Sequence, residues 1–256
     1  MKILVLGDVV GAAGTQYLSE SRRLWRLRDS LRADLVIANA ENAAPGNGTT
    51  PDAARTLLDA GVDVLTGGNH SFRRREFQSM LDDERLVLRP ANYPSGAPGH
   101  GFCLTECAGW RLLVINLAGC VYMEPLLSPF EMADRILKEN EGRYDAAIVD
   151  FHAEATSEKI ALARYLDGRV SAVFGTHTHV ATADIQILTG GTGYITDVGM
   201  CGSHAGVLGV STEPILKKFL TKTPVQFTPA EGELALHGAL FEIKDGKCVH
   251  AESIHA

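Results

Sequence analysis

Residues 170–179, with the sequence VSAVFGTHTH, decide the fold of this chain. Val170–Phe174 is a largely apolar run of the length typical of a buried strand, and Gly175 interrupts it. His177 and His179 follow one residue apart, so in an extended segment both imidazoles point to the same side. We therefore predict a buried strand that carries two metal-binding side chains at its carboxyl end.

The same arrangement, an apolar run followed by polar side chains, occurs four more times along the chain. Each run is predicted to be a buried strand. The runs and the side chains after them are Ile3–Leu6 before Asp8, Leu35–Ala38 before Glu41 and Asn42, Val64–Thr66 before Asn69 and His70, and Ala146–Phe151 before His152. Ligands of α/β folds bind outside the carboxyl ends of the strands. Carboxylate, amide and imidazole groups suit divalent transition metals, and a pair of metals suits phosphoester hydrolysis.

Helical patterns separate these strands, and the alternation is typical of an α/β fold. Thr50 and Pro51 form a good helix start, and Gly61 ends that helix. The other predicted helices are Gln16–Leu31, Phe72–Leu81, Pro129–Glu139 capped by Ser128, and Ser157–Leu166 capped by Thr156. The remaining predicted strands are Leu86–Leu88, Gly101–Glu106, Trp110–Asn116, Asp184–Leu188, Gly193–Thr196, Leu234–Ile243 and Lys247–Ile254. We expect one domain over residues 1–256, with two packed sheets and helices outside them.

The composition of the chain limits the classes of function. With 45% hydrophobic and 21% charged residues, 256 residues suffice for a soluble enzyme with a full core. The formal net charge of −7 argues against a broad basic face, so we expect no general binding to nucleic acid or to anionic membranes. The five cysteines are scattered without a CxxC pair, which argues against a disulfide framework or a zinc ribbon. The N-terminal apolar run is too short for a signal peptide or a membrane span, and we expect a cytoplasmic protein.

Each candidate also has an ordinary structural interpretation. Asp8 suits a turn or a helix cap, Glu41 a solvated acidic loop, and His152 a buried structural histidine. Arg73–Arg75 can meet a substrate phosphate, although a charged helix face explains them better, and His204 lies in a glycine-rich loop that can border the pocket. The chain has no P-loop, dinucleotide fingerprint or activated nucleophile motif. The shared position of the candidates at strand ends is what favours a single metal site.

Taken together, these motifs resemble the calcineurin-like metallophosphoesterase superfamily over nearly the whole chain. They are Gly7-Asp8, Glu41-Asn42, Gly68-Asn69-His70, His152 and residues 175–179. The runs at residues 41–44, 150–159 and 196–202 look closest to the bacterial YmdB-like branch. Val10 stands where the superfamily usually has the histidine of an Asp-x-His motif, and Glu41 replaces the usual bridging aspartate. Both departures are features of the YmdB-like branch. The resemblance implies a four-layer α/β/β/α sandwich with a dinuclear metal site at the strand carboxyl ends.

The resemblance also implies a role for each site residue. One metal is expected on Asp8, Glu41, Asn42 and His179, and the second on Glu41, Asn69, His152 and His177, with Glu41 as the bridge. His70 is expected to be the catalytic proton donor and not a ligand. The implied activity is a phosphodiesterase acting on cyclic nucleotides of the 2′,3′-cyclic AMP type, with two iron ions, or manganese as the alternative, in each chain. A homo-oligomer, either a dimer or a tetramer, is implied as well.

For this site we predict in-line hydrolysis, in which a metal-bridging hydroxide attacks phosphorus and His70 protonates the leaving alkoxide. Several alternatives stay open. The same site suits a phosphomonoesterase or a nuclease, although the negative net charge disfavours long nucleic-acid substrates. A regulatory protein that binds metal or nucleotide, with slight phosphoesterase activity, needs the same ligands. A metal-dependent amidohydrolase usually carries its His-x-His motif near the first strand, whereas here the motif comes after about two-thirds of the chain.

Overall fold

Two mixed six-stranded sheets form the centre of the fold in the computed structural model, which describes residues 1–256. The strands are β1 Lys2–Val9, β2 Leu35–Asn39, β3 Val64–Thr66, β4 Phe102–Cys107, β5 Trp110–Ala118, β6 Ala146–His152, β7 Ala172–Thr176, β8 Gln186–Ile187, β9 Gly193–Ile195, β10 Met200–Ser203, β11 Leu234–Lys244 and β12 Lys247–His255. The first sheet has the order β12-β11-β10-β1-β2-β3, with β11 also pairing with β1, and the second has the order β4-β5-β6-β7-β9-β8. Because β1 to β3 are parallel, as are β5, β6, β7 and β9, their carboxyl ends lie along one edge of each sheet.

Seven α-helices connect the strands. They are α1 Gly11–Ser19, α2 Arg23–Leu31, α3 Pro51–Asp59, α4 Gln78–Asp83, α5 Pro129–Glu139, α6 Thr156–Tyr165 and α7 Thr212–Thr221. Two of them begin as the sequence predicts, since the Thr50 hydroxyl accepts a hydrogen bond from the Ala53 backbone N–H (3.2 Å) and the Ser128 hydroxyl accepts one from that of Glu131 (3.3 Å). None of the helices combines the length and the apolar character that crossing a bilayer requires.

Apolar side chains fill three layers, one between the two sheets and one on the outer face of each sheet. Along β1, Ile3 and Val5 face the second sheet, whereas Leu4 and Leu6 face the helices. Helices α1 to α4 cover the first sheet, and α5 and α6 cover the second. Both faces of the central strands are therefore buried, which explains why these strands are continuous apolar runs in the sequence.

Two predicted helices differ from the structure. The predicted helix Gln16–Leu31 is broken between α1 and α2, because Ser21 and Arg22 have left-handed φ angles of 53° and 54°. The predicted helix Phe72–Leu81 is reduced to a 3-10 turn at Arg75–Phe77 followed by α4. The residues before that turn form hydrogen-bonded turns instead, which keep the chain close to the end of β3.

Most predicted strands are confirmed within two residues, but the prediction was wrong at several elements. Leu86–Leu88 forms only isolated bridges and no strand of its own. The predicted strand Asp184–Leu188 is shortened to β8, because the Asp184 carboxylate accepts hydrogen bonds from the hydroxyls of Thr182 and Thr196. Helix α6 includes Thr156, which therefore does not cap it. Strand β10 and helix α7 were not predicted, and α7 buries none of its residues.

Candidate metal centre

The eight residues predicted to form the site lie together where the carboxyl ends of the two sheets meet. The first-sheet half of the centre consists of residues on or just after β1, β2 and β3, namely Asp8, Glu41, Asn42, Asn69 and His70. The second-sheet half consists of His152 at the end of β6, and of His177 and His179 after β7. The halves are joined directly, because the backbone N–H of His177 donates a hydrogen bond to Asp8 Oδ2 (2.9 Å).

One group of ligand-type atoms surrounds His152 Nε2, and we call it the His152 cluster. This nitrogen lies 3.0 Å from Asn69 Oδ1, 3.0 Å from His177 Nδ1 and 3.3 Å from Glu41 Oε1. One ligand atom from each of Glu41, His152 and His177 lies within 4.8 Å of the others. The residues of this cluster are those that the resemblance assigns to the second metal.

A second group, the Asp8 cluster, contains the residues that the resemblance assigns to the first metal. His179 Nε2 lies 3.6 Å from Asp8 Oδ1, and Asn42 Nδ2 lies 3.3 Å from His179 Nε2 and 3.1 Å from Glu41 Oε1. The Asn42 amide therefore turns its nitrogen to these atoms and its oxygen to His70. An amide nitrogen does not bind a cation, so Asn42 has to rotate its amide by half a turn to act as a ligand.

His70 lies against Glu41, which both clusters share, and against Asn42 of the Asp8 cluster. Its Nδ1 is 3.0 Å from Glu41 Oε1 and 2.9 Å from Asn42 Oδ1, and its backbone N–H donates to Glu41 Oε2 (2.8 Å). The His70 side chain is 28% exposed, whereas that of Glu41 is 1% exposed. The Nε2 atom of His70 makes no hydrogen bond to the protein, so it is available to a bound molecule.

The backbone at the centre is unusual at three positions. A Cβ atom on Gly68 would overlap both Glu41 Oε2 and His152 Nε2, so only glycine lets the loop after β3 approach this closely. His177 and His179 have positive φ angles of 100° and 64°. The prediction that these two residues lie in an extended segment is wrong, because β7 ends at Thr176. The two imidazoles consequently reach different clusters.

Buried polar groups hold His152 from behind. Its Nδ1 lies 3.0 Å from Thr176 Oγ1 and 3.3 Å from Asn39 Nδ2, and both of these groups donate hydrogen bonds to the Asp150 carboxylate. Burial raises the pKa of the Asp150 carboxyl to about 6, although His152 and the hydroxyl donors Thr66 and Thr176 act in the opposite direction. These contacts fix the ring of His152 with Nε2 toward the first-sheet half, as groups behind a metal-binding histidine commonly do.

A buried ion pair supports the segment that carries His177. Lys159 Nζ lies 2.7 Å from Asp197 Oδ2 and donates a hydrogen bond to the Thr176 carbonyl (2.8 Å). Asp197 also accepts hydrogen bonds from the backbone N–H (3.1 Å) and the hydroxyl (2.8 Å) of Thr178. Both charged side chains are 1% exposed. The pair thus connects α6 and the segment after β9 to the turn between the two histidines.

The outer nitrogens of the other two histidines are also occupied. His177 Nε2 lies 3.0 Å from Glu154 Oε2, and His179 Nδ1 donates to the Leu208 carbonyl (3.4 Å). A carboxylate or carbonyl on the outer nitrogen fixes the ring orientation and makes the inner nitrogen more basic. Each of the three imidazoles therefore presents one nitrogen to the centre and is held through the other.

The electrostatics of the centre favour a bound cation. Asp8 and Glu41 are buried, and neither forms an ion pair with a lysine or an arginine. Burial alone raises the pKa of both carboxyls, but neighbouring imidazoles, chiefly His179 for Asp8 and His152 for Glu41, hold both below the ordinary value. Burial lowers the pKa of His152, but Glu41, Asp8 and Asp150 raise it to about 9. Two buried carboxylates facing imidazole and amide groups fit divalent cations with mixed oxygen and nitrogen ligands.

The remaining candidates lie elsewhere. The ring of His204 packs against that of His237, with centroids 4.4 Å apart, although the loop it begins reaches His179 through Leu208. Arg74 donates hydrogen bonds to the carbonyls of Pro45 and Asn47, which fixes the loop after Glu41, and Arg73 and Arg75 are exposed. Sequence reasoning missed the residues that support the centre: Asn39, Asp150, Glu154, Lys159, Thr176 and Asp197. The one available signal was a carboxylate, Asp150, inside an otherwise apolar strand.

The fold first identifies a class of protein. A 5′-nucleotidase precursor from Thermus thermophilus matches the structure with a TM-score of 0.59 and 13% sequence identity, over 100% of this chain and 54% of that chain. At this identity the likeness shows the fold alone, a mixed α/β fold with two sheets.

The chain belongs to the YmdB-like protein family, whose model matches residues 4–254. The predicted resemblance is thereby confirmed. A 2′,3′-cyclic-nucleotide 2′-phosphodiesterase from Bacillus subtilis (strain 168) is 46% identical over 245 residues, which cover 96% of this chain and 92% of that protein. A hypothetical protein from Thermus thermophilus has a TM-score of 0.94 at 42% identity, covering 100% of this chain and 99% of that chain. A novel phosphatase from Mycoplasma pneumoniae has a TM-score of 0.93 at 33% identity, covering 100% and 93%.

Proposed function

We propose that this protein is a metal-dependent phosphodiesterase that hydrolyses cyclic nucleotides of the 2′,3′-cyclic AMP type. The observation that carries the proposal is the convergence of Glu41, His152 and His177, whose ligand atoms lie within 4.8 Å of one another at the strand carboxyl ends. The relative at 46% identity, a 2′,3′-cyclic-nucleotide 2′-phosphodiesterase, supports the substrate class. The four-layer sandwich expected from the family resemblance agrees with helices packed outside two sheets.

The centre has two groups of donors, which favours two cations. Asp8, Glu41, Asn42 and His179 would hold one ion, and Glu41, Asn69, His152 and His177 the other. The mixed oxygen and nitrogen donors accommodate iron, manganese, zinc or cobalt, and the family resemblance favours iron, with manganese as the alternative. When bound, such ions supply positive charge that polarises a phosphoryl group and lowers the pKa of water.

His70 is the residue of the centre that is best placed to move a proton. Its Nδ1 lies 3.0 Å from Glu41 Oε1, which orients the ring, and its Nε2 makes no hydrogen bond to the protein. Imidazole can donate a proton near neutral pH, which is the requirement for protonating a leaving alkoxide. We therefore assign His70 as the proton donor, with Glu41 as its positioning residue.

The test compares metal content, by elemental analysis, with turnover of 2′,3′-cyclic AMP in the wild type and the His70→Ala variant. We expect both proteins to retain their metals and turnover to fall about 10²- to 10⁴-fold in the variant, the usual worth of general acid catalysis. His250→Ala, at an exposed histidine that pairs with Glu252, is the matched control and should keep full turnover. Full turnover by His70→Ala would remove His70 from the mechanism.

A phosphomonoesterase is the second candidate, because the relative from Mycoplasma pneumoniae is a phosphatase. A bis-ester and a mono-ester of the same chromophore separate the two activities, and we expect faster turnover of the bis-ester. A nuclease would require turnover of oligonucleotides. Bound metal with no turnover of any phosphoester would support the regulatory alternative instead. The single domain, the cytoplasmic location and the dimer or tetramer stay predictions, the last of which light scattering on the purified protein tests.

A further inference from the structure

A cavity of about 670 Å³ lies outside the metal centre, and none of the eight residues of the centre lines it. Three parts of the chain form its walls: residues 85–104, which include β4, the segment around Leu127, and helix α5 with the turn after it. Four arginines line it, and we call it the arginine cavity: Arg85, Arg89, Arg135 and Arg143. Its size falls within the range of sites that enclose small organic ligands.

The charge of this cavity contrasts with that of the chain. Glu139 is the one acidic residue in its lining, against four arginines, while the whole chain has a net charge of −7. Arg135 pairs with Glu139 (2.8 Å). Arg85, Arg89 and Arg143 form no ion pair, and Arg143 donates a hydrogen bond only to the amide oxygen of Asn140 (3.1 Å). The lining of the cavity therefore carries an excess of positive charge.

One of these positive charges lies in the interior, because Arg89 is buried and only 7% exposed. Its guanidinium donates hydrogen bonds to three carbonyl oxygens, those of Pro90 (2.8 Å), Pro98 (3.3 Å) and Ala97 (3.4 Å), and to no carboxylate. The nearby Asp82 carboxylate favours the charged form of Arg89 but forms no ion pair with it. A buried cation without a direct counter-ion is unfavourable, and an anion bound in the cavity would supply one.

The rest of the lining suits a flat apolar group. Met132, Arg135, Ile136 and Glu139 follow the spacing i, i+3, i+4 and i+7, so a single face of α5 forms one wall. The aromatic rings of Tyr93 and Phe102, together with other apolar side chains, line the cavity as well. Strand β4 lies at the edge of its sheet and pairs only with β5, so the cavity is bounded by an open sheet edge.

We propose that the arginine cavity binds a small molecule that combines a phosphate group with a planar apolar group, that is, a nucleoside monophosphate. The arginines bind the phosphate, since the guanidinium fork matches phosphate oxygens, and the aromatic and aliphatic wall contacts the base. Binding at this place does not depend on the proposed hydrolysis, because the cavity and the metal centre share no residue.

The experiment is isothermal titration calorimetry of the full-length metal-loaded protein with 5′-AMP, and with adenosine as the ligand that lacks phosphate. The test variant is Arg85→Glu/Arg135→Glu, which reverses two exposed charges of the cavity. The control, Arg26→Glu/Arg164→Glu, makes the same charge change at exposed arginines outside the cavity. His177→Ala removes a residue of the metal centre and identifies any binding there.

We expect 5′-AMP to bind the wild type, the control and His177→Ala with similar affinity. The cavity variant should bind it at least about tenfold more weakly, because it loses charged hydrogen bonds to the phosphate and places negative charge beside it. Turnover of 2′,3′-cyclic AMP should not change in the cavity variant. Adenosine should bind more weakly than 5′-AMP.

Four results would overturn the proposal. They are no heat of binding in the wild type at millimolar 5′-AMP, equal losses in the cavity and control variants, equal binding of adenosine, and a loss in His177→Ala with none in the cavity variant. The last result places the ligand at the metal centre. If His177→Ala does not fold, wild-type protein stripped of metal with EDTA replaces it. Circular dichroism of each variant confirms that it is folded.

Discussion

The two halves of the candidate metal centre differ in the donor atoms they offer. The first-sheet half offers oxygen atoms from two carboxylates and from the Asn69 amide, with the Asn42 oxygen available after rotation of its amide, and adds His70. The second-sheet half offers nitrogen atoms from His152, His177 and His179. Because the two sets come from different sheets, the complete donor set exists only when the sheets are packed together.

The two halves also differ in how their side chains are held in place. The carboxylates of the first-sheet half accept backbone N–H groups, as Asp8 does from His177 and Glu41 from His70. Each imidazole of the second-sheet half is instead held through its outer nitrogen by a separate group. The difference follows from chemistry, since either oxygen of a carboxylate can bind a cation, whereas an imidazole must present one particular nitrogen.

The largest expected effect comes from breaking the ion pair that supports the second-sheet half. Lys159→Met should lower the free energy of unfolding by about 3–5 kcal/mol, because it leaves the buried Asp197 carboxylate without its counter-charge. Urea unfolding followed by circular dichroism measures this loss. Metal content should fall as well, since Asp197 holds the Thr178 backbone between two of the imidazoles.

The matched control is the Arg169→Met variant, which breaks a half-exposed ion pair with Asp134 (2.6 Å) on the same side of the molecule as α6. That change should cost less than about 1 kcal/mol, as is usual for surface pairs. Equal losses in the two variants would mean that burial of the Lys159 pair contributes nothing to the support of the second-sheet half.

The next effect is expected at Gly68, where the loop after β3 packs against Glu41 and His152. Gly68→Ala should destabilise the protein by roughly 1–3 kcal/mol and lower its metal content, because the new methyl group overlaps Glu41 Oε2 and His152 Nε2. Gly96→Ala is the control, since a Cβ atom there meets nothing within 4 Å. Elemental analysis and thermal unfolding of the two variants measure these effects. Unchanged metal content in Gly68→Ala would show that the loop after β3 can move away from Glu41 and His152.

The fold could be predicted wherever local signals determine an element. The bounds of β3 and α5 were predicted correctly, the latter because Ser128 caps a helix with Pro129 at its first position. Strand β10 was missed because it is short, contains Gly202 and is held between β1 and β11, which are distant in sequence. The break at Ser21 and Arg22 was also missed, since no glycine or proline marks it.

The residues that face the centre could be predicted from the sequence, whereas the residues that support them could not. Polar residues after buried strands led to all eight candidates, and their roles as ligands and proton donor stay predictions. The supporting groups depend on long-range contacts, such as that of Asn39 with Asp150, which are 111 residues apart. Lys159 and Asp197 are charged residues of ordinary surface type, and their burial depends on how α6 packs against the end of the second sheet.

A smaller effect is expected at Glu154, which holds His177 from outside. Glu154→Gln removes the charge 3.0 Å from His177 Nε2 and should weaken metal binding about tenfold to a hundredfold, the usual worth of such outer partners. Metal competition with a chelator measures this change. Glu252→Gln, at an exposed glutamate beside His250, should leave the metal affinity unchanged. If Glu154→Gln binds metal as well as wild type, the outer carboxylate does not support the second-sheet half.

The smallest effect on stability is expected at His237, a histidine that faces no carboxylate. His237 lies on the first sheet between two other histidines. Its ring centroid is 4.4 Å from that of His204 and 4.7 Å from that of His255. Its Nδ1 and the Nε2 of His204 are buried without a hydrogen-bond partner. Burial, together with the charge of the two neighbouring imidazoles, lowers the pKa of His237 to about 4, in contrast to His152, where carboxylates raise it.

The lowered pKa of His237 predicts the direction in which stability changes with pH. The unfolded chain protonates His237 near pH 6.5 but the folded chain only near 4, so the unfolded state binds more protons between these values. The contribution of His237 to stability is fully present above about pH 6.5 and is lost as the pH falls toward 4. His237→Gln should therefore flatten the rise of unfolding free energy between pH 4 and 6.5, measured by urea unfolding at several pH values. His250→Gln, at an exposed histidine, is the control and should keep the wild-type change of unfolding free energy with pH. If His237→Gln also keeps it, the imidazoles around His237 separate and let it protonate in the folded state.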